Sequence, residues 1–516
     1  MSSAKLYGFI EKLNEVRCQV RCDDKGVLRS IYDKFTVDSG ADHYAVRNNP
    51  HWDGNLHLFR GYDQTLYTGL IPELMEFLQE EYGDEVDFIY DPQLFFGHDY
   101  ELSVQDVNKI IADLNIHSSG IAISARDHQL AAIYHCLRDT CRAVVVSPTG
   151  SGKSFIIYVI LRFLQAMGLK VLLVVPNLSL IQQMFNDFKD YSSEEKDWQV
   201  QKEISVLTGA NKTPKTNITL ANWQAIYKLG KKFFGQYGAV IVDEVHLAAA
   251  DSLKGIMEQC SNAHYRYGFT GTLQETKTHL SVIEGLFGPS MQFTTSRELQ
   301  DKGVLSNLEI KMILLQYSEK SRKLARNMEY HEEVDFTATS KAKERFIVAL
   351  ANKLEENVLI LVNLVEKQLK PLYNALQKTT KKKIFVISGA TPSEERERIR
   401  TEMENGKGCV LLATYGTCST GINIKNIHHI IFGAAFKSKI RVLQSIGREL
   451  RVMQGKNEAV LWDLVDDLTH VQKFKNGGKK IKMNHLMRHA QKRMQTYRDE
   501  EFPYEIMRKR IEKEDE

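Results

Sequence analysis

An apolar run, Val144-Val145-Val146, leads into Ser147-Pro148-Thr149-Gly150-Ser151-Gly152-Lys153-Ser154 and then into the helical pattern Phe155–Met167. Phosphate binding explains that order. Glycines let backbone N–H groups fold around an anion, and a helix N-terminus adds partial positive charge. Lys153 supplies a point charge for the β and γ phosphates of ATP, and Ser154 a hydroxyl for Mg²⁺. Ser147 occupies the first-glycine position of GxxxxGK[ST]. Seen alone the segment is a glycine-rich turn, but the flanking strand and helix favour the phosphate cup.

Ile241-Val242-Asp243-Glu244-Val245-His246 brings two carboxylates to the end of another apolar run, 90 residues after Lys153. Asp243 is the second candidate Mg²⁺ ligand, and Glu244 the candidate base for an attacking water. Upstream, Arg126-Asp127-His128-Gln129 offers an amide able to pair with adenine and a guanidinium for base or phosphate. Gln444-Ser445-Ile446-Gly447-Arg448-Glu449-Leu450-Arg451 fits QxxGRxxR. Arg448 and Arg451 share a helix face, as groups that neutralise a departing γ-phosphoryl would. A surface helix is the alternative.

Other segments suit a polymeric track. Pro176, Asn177 and Gln183 follow one strand, and Trp223 and Gln224 another. Neutral polar groups there hold phosphates without reading sequence. Trp223 either stacks on a base or packs on the sheet. Thr414-Tyr415-Gly416-Thr417-Cys418-Ser419-Thr420-Gly421-Ile422-Asn423 follows the run Cys409–Ala413. Thr414 and Ser419 would face phosphodiester, and Gly421 and Asn423 nucleotide. Thr270-Gly271-Thr272 suits a coupling loop.

The elements that must position these residues fall into repeated patterns. Ala143–Val146, Val171–Val175, Ile218–Leu220 and Ala239–Val242 read as buried parallel strands between helices. Val358–Val362, Ile384–Ile387, Cys409–Ala413, Ile430–Phe432 and Ala459–Trp462 repeat the theme. The expected domains are 1–105, a small α+β unit; 106–303 and 304–470, two α/β units; and 471–516, a basic helical extension. The small unit reads β-α-β-β-α-β: Glu15–Cys22, Lys25–Phe35, Asp42–Val46, Asn55–Phe59, Pro72–Tyr82 and Val86–Tyr90. From Val471 to Arg498 the chain has nine Lys/Arg and no Asp/Glu. That stretch either holds duplex arms or is a solvated face.

Composition sets the limits. With 516 residues, a net charge of +3, 43% hydrophobic and 26% charged residues, the chain is an ordinary globular one whose polyanion surface must be local. Seven cysteines without a CxxC pair argue against a disulfide framework or zinc site and suit a reducing compartment. Cys18 and Cys22 read as packing residues. No signal peptide and no membrane span is expected.

In order, the Q-motif (Arg126, Gln129), motif I (Ser147–Ser154), motif Ia (Pro176, Asn177, Leu180, Gln183), motif II as DEVH, motif III as TGT, and motifs V and VI resemble superfamily 2 helicases across residues 120–465. Asn49-Pro50-His51-Trp52-Asp53-Gly54, Asn222-Trp223-Gln224, Tyr415-Gly416, Phe436-Lys437-Ser438-Lys439 and Trp462-Asp463-Leu464 extend the resemblance to recombination and fork-repair helicases of T-even-like phages. It implies an α/β protein with two tandem RecA-like parallel-sheet domains behind a small α+β domain. It implies ATP and Mg²⁺ as cofactors, single-stranded and branched double-stranded DNA as substrates, and RNA–DNA hybrids besides. Branch migration of Holliday junctions, fork regression and R-loop dissolution are the implied reactions. A monomer in the host cytoplasm is implied, with a single-strand binding protein or recombination proteins as partners. Arg21, Lys25 and Arg29 become candidate duplex contacts, and Trp52 and Asp53 either a turn or another such contact. An RNA-directed helicase, a non-catalytic ATP-gated binding protein and a restriction motor are the other readings.

Overall fold

The computed structural model describes residues 6–39, 52–83, 85–209, 213–247, 251–271, 277–419, 424, 426–434, 458–473 and 479–512. The chain divides into two compact bodies, the first of residues 1–148 and 152–294 and the second of residues 295–516 together with Thr149–Ser151.

The first body begins with a four-stranded sheet ordered β5-β2-β1-β6, from β1 (Leu6–Lys12), β2 (Arg17–Cys22), β5 (Thr65–Tyr67) and β6 (Val86–Tyr90). β3 (Thr36–Asp38) and β4 (Asn55–His57) form a separate antiparallel pair. Alternation places Cys18 and Val20 inward and leaves Arg21 outside. Asp24 starts the helix Lys25–Lys34 by accepting the N–H groups of Gly26 and Val27. β1 and β5 were not expected from the sequence, and the expected strand at Asp42–Val46 lies outside the described residues. Trp52 and Asp53 shape the turn into β4: the indole N–H donates to Asn55 O at 2.8 Å, and the Asp53 carboxylate accepts the Asn55 N–H at 3.0 Å.

The small sheet is welded to the rest of the first body. Tyr67 of β5 and Leu70 and Ile71 just after it share one core with Val282, Ile283, Leu286 and Phe287 of the helix Lys277–Phe287. Gly69 sits so close that a Cβ would come within 2.0 Å of Glu284 O. Polar contacts reinforce the joint. Buried Arg142 donates to Glu15 O at 2.7 Å and to the Glu15 carboxylate, and Tyr67 donates to Glu258 at 2.6 Å. Burial alone would raise the Glu15 carboxyl; the His264 hydrogen bond, Arg142 and Lys12 instead hold it well below the carboxylate range. His264 is raised to about 9 by its hydrogen bonds to Cys141 and Glu15, against burial.

Beyond β7 (His117–Ser118) and β8 (Ile121–Ala122), a short antiparallel pair, comes a seven-stranded parallel sheet. Its strands are β9 (Arg142–Val146), β10 (Val171–Val175), β11 (Ile204–Leu207), β12 (Ile218–Asn222), β13 (Ala239–Asp243), β14 (Tyr265–Thr270) and β15 (Ser290–Gln292), in the order β11-β12-β10-β13-β14-β9-β15. Both faces are covered, so the strands are apolar throughout. Val144 and Val146 point into the core shared with the small sheet, whereas Ala143 and Val145 pack with Phe155, Ile156 and Val159 of the helix Lys153–Ala166.

The second body holds another seven-stranded parallel sheet: β16 (Asn307–Gln316), β17 (Val358–Val362), β18 (Ile384–Ile387), β19 (Val410–Thr414), β20 (His429–Phe432), β21 (Glu458–Asp467) and β24 (Tyr504–Arg510). Its order is β18-β19-β17-β20-β21-β16-β24. Between β21 and β24 lie the ribbon of β22 (His470–Lys473) and β23 (Lys479–Lys482) and the helix His485–Asp499. The stretch expected as a basic helical extension thus holds one helix together with the ribbon and β24. β24 pairs in parallel with β16, and the helix buries Ala490 and Tyr497 in the sheet's core. Arg493, one of the nine basic residues, is an interior residue bound to Asp463. Among the described residues no helix is long and apolar enough to cross a membrane.

Candidate nucleotide site

The candidate nucleotide residues of the first body gather at the C-terminal ends of β9, β13 and β14, the edge at which open parallel sheets bind ligands. Ser147, the residue after β9, is fully buried, and its N–H donates to Thr270 O at 2.9 Å. Pro148, Thr149, Gly150, Ser151 and Gly152 then turn the chain into the helix. Gly150 and Gly152 both have φ of 87°, which side chains other than glycine rarely adopt. Gly152 is further constrained, because a Cβ there would stand 2.3 Å from Gln129 Nε2. The Lys153 ammonium donates to Ser147 O at 2.9 Å and to Pro148 O at 3.4 Å. The Ser154 hydroxyl lies 3.0 Å from the hydroxyl of Tyr191.

Gln129 is brought onto this loop from the helix Asp127–Tyr134. Its Oε1 accepts the Arg126 N–H at 2.9 Å, and its Nε2 reaches Gly152 O at 3.5 Å. The amide expected to face adenine thus also fixes the start of its own helix. Arg126 is that helix's N-cap, and its guanidinium would lie 3.9 Å from a Cβ on Gly152.

At the end of β13, Asp243 is buried and Glu244 takes a φ of 54°, a left-handed conformation uncommon for a non-glycine residue. The Glu244 N–H donates to Asp243 Oδ1 at 2.9 Å. Burial first, then the Glu244 charge, push the Asp243 carboxyl up to about 7, while Lys153 pulls the other way. A cation placed beside Asp243 would offset that penalty. The residues therefore fit a Mg²⁺-bound nucleotide: a glycine cup, an ammonium, a hydroxyl and an under-compensated carboxylate. Sequence reasoning gave no role to His246. Its Nδ1 hydrogen-bonds with Thr270 Oγ1 at 3.0 Å and stands 3.3 Å from the Glu244 carboxylate, so the imidazole sits between the candidate base and the Thr270-Gly271 turn. The signal was present in the spacing of DEVH, two residues past the base on the same strand end.

The track candidates divide. Asn177 caps the helix Leu178–Tyr191, its Oδ1 accepting the Leu180 N–H at 2.9 Å. Pro176 and Gln183 are half-buried beside it. Trp223 packs on the core shared with the small sheet, whereas Gln224 is exposed. In the second body Thr414 Oγ1 lies 2.9 Å from Thr417 Oγ1 at the end of β19. Ser419 is the last residue of the helix Tyr415–Ser419. Thr272, Gly421, Asn423, Gln444, Arg448 and Arg451 lie outside the described residues.

Comparison with known proteins agrees with this geometry. Residues 122–275 match the family model of the type III restriction enzyme res subunit, and 341–453 that of the helicase conserved C-terminal domain. The ATP-dependent DNA helicase uvsW of Enterobacteria phage T4 is 32% identical over 94% of this chain and 96% of its own length. The probable helicase D10 of Escherichia phage T5 is 24% identical over 66% of this chain and 71% of its own. A crystal structure of T4 UvsW covers 99% of this chain and 100% of its own at 27% identity, with a TM-score of 0.50. The likeness runs through the small sheet, both parallel sheets and the C-terminal strand, and so the chain belongs to the UvsW-like superfamily 2 helicases, built on two RecA-like domains, and is an ATP-dependent helicase.

Proposed function

We propose that this helicase is a DNA motor that remodels branched DNA, by migrating Holliday junctions, regressing forks and dissolving R-loops during recombination and repair. The observation that carries the reading is the likeness to a DNA helicase across 94% of the chain, which takes in the small N-terminal sheet and not the motor motifs alone. In this reading Mg²⁺-ATP supplies the free energy of a phosphoanhydride bond. Gly150, Gly152 and Lys153 hold the phosphates, Gln129 and Arg126 the base, and Ser154 and Asp243 the cation. Glu244 takes the proton of the attacking water, with His246 beside its carboxylate. Arg448 and Arg451, with Gln444, neutralise the γ-phosphoryl charge. Gly421 and Asn423 contact nucleotide. Pro176, Asn177, Gln183, Gln224, Thr414 and Ser419 hold the strand by its phosphates.

Steady-state ATP hydrolysis with single-stranded DNA, duplex, fork, four-way junction and RNA in parallel tests the proposal. Stimulation by DNA, with forks and junctions also unwound, is the expected result. Stimulation by RNA alone would replace it with an RNA-directed helicase.

A further inference from the structure

The serine assigned to the cation has a partner that none of the motifs announces. Ser154 Oγ lies 3.0 Å from Tyr191 Oη. Ser154 belongs to the first turn of the helix Lys153–Ala166, and Tyr191 is the last residue of the helix that Asn177 caps. Packing holds the tyrosine ring. It stands edge-on to Phe155 at 6.1 Å and tilted against Tyr158 at 5.5 Å, and Tyr158 is itself enclosed by Phe188 and Trp198. The phenol oxygen is therefore delivered to Ser154 by an aromatic cluster and does not depend on the hydrogen bond for its place.

A neutral serine hydroxyl that ligates a cation turns a lone pair to the metal and directs its proton to another acceptor. Backbone carbonyls of the preceding turn compete for that proton in any helix. An acceptor fixed outside the helix settles the competition. We propose that Tyr191 is a positioning residue for the Mg²⁺ site: its phenol oxygen accepts the Ser154 proton and selects the rotamer in which Oγ is available to the cation. This rests on the proposed role of Ser154.

Tyr191→Phe keeps the ring and removes the oxygen. The test titrates Mg²⁺ against the affinity of the full-length protein for a fluorescent ADP analogue, with thermal unfolding measured alongside. The midpoint in Mg²⁺ should rise by about two- to tenfold, the size of one neutral hydrogen bond, with Mg²⁺-free affinity unchanged. A purely structural tyrosine would weaken binding equally with and without Mg²⁺, and that result overturns the proposal. So does a lower midpoint, which would mean that Tyr191 competes with the cation. Ser154→Ala separates the two layers. If Ser154→Ala alone leaves the Mg²⁺ dependence intact, the reading of Ser154 fails and the proposal with it. If it shifts the midpoint, Tyr191→Phe must add nothing in that background; an additive shift overturns the positioning role alone.

Discussion

Numbered from its own first strand, each parallel sheet runs 3-4-2-5-6-1-7, yet the two do opposite things at the end of strand one. β9 opens into the glycine cup and Lys153. β16 leads instead to Tyr317 and Ser318, where the chain's own Glu512 closes the turn. The Ser318 N–H, Ser318 Oγ and Ser321 Oγ donate to that carboxylate at 3.0, 2.9 and 2.6 Å. Interior charge differs in the same sense. In the second sheet Asp463 is bound by Arg493 and Tyr497, and Asp466 by Lys343 and Tyr317. In the first, Asp243 is buried beside Glu244 and only partly relieved by Lys153. The common scaffold offers an anion-binding end twice. One copy is satisfied from within, while the other retains an electrostatic deficit that fits a cation and a phosphate.

The largest expected effect breaks that contrast on the first side. Lys153→Ala should lower ATP turnover by about 10³-fold, in the range seen for removing one charged or oriented donor from a transition state. Cooperative unfolding should persist, with stability at pH 7 lowered by the loss of the charge that partly offsets buried Asp243. Turnover within tenfold of the parent would remove Lys153 from the site. Next comes the second side. Arg493→Ala strips the charged partner from a carboxylate with no exposed surface, leaving only the Tyr497 hydroxyl, and should cost about 3–5 kcal/mol in denaturant unfolding. A loss below about 1 kcal/mol would mean that Asp463 finds another donor or a proton.

Why one half of this contrast was legible in the sequence and the other was not has a physical basis. Phosphate chemistry constrains neighbouring residues, so Ser147–Ser154 and Asp243-Glu244 announce themselves locally. The central strands are buried on both faces, so Val171–Val175 and Val358–Val362 are continuous apolar runs. β24 is an edge strand, and Tyr504–Arg510 carries Glu505, Arg508, Lys509 and Arg510 on exposed positions. Its pattern resembles a charged tail, and only pairing with β16 makes it a strand. β5 is three residues long, and Arg266 in β14 is charged yet buried against four backbone carbonyls, so neither reads as strand interior. Tyr191 and Glu512 act on groups 37 and 194 residues away, a relation with no local signature.

Asp243→Asn sharpens the deficit itself. The folded carboxyl titrates near 7 and an unfolded one near its ordinary value of 3.8, so over that interval the folded state holds more protons. Stability therefore falls as pH rises from about 4 toward 7. The asparagine variant lacks this decline. It should hydrolyse no ATP, yet unfold at a higher temperature than the parent at pH 7, with the difference vanishing near pH 4. A variant less stable than the parent at pH 7 would show that Lys153 and the Glu244 N–H already offset the buried charge.

The smallest effect tests whether the second sheet's turn is truly satisfied from within. Glu512→Gln keeps the shape and one acceptor oxygen but removes the charge that Ser318 and Ser321 donate to. Each charge-assisted hydrogen bond reverts to a neutral one, so the loss should be about 1 kcal/mol in denaturant unfolding, and smaller than for Arg493→Ala. Because Glu512 lies just past the end of β24, the loosening should appear first as faster amide exchange in Tyr504–Arg510 than in β16. Uniform exchange across both strands would instead make Glu512 an ordinary surface carboxylate, and the parallel between the two strand ends would then be one of backbone alone.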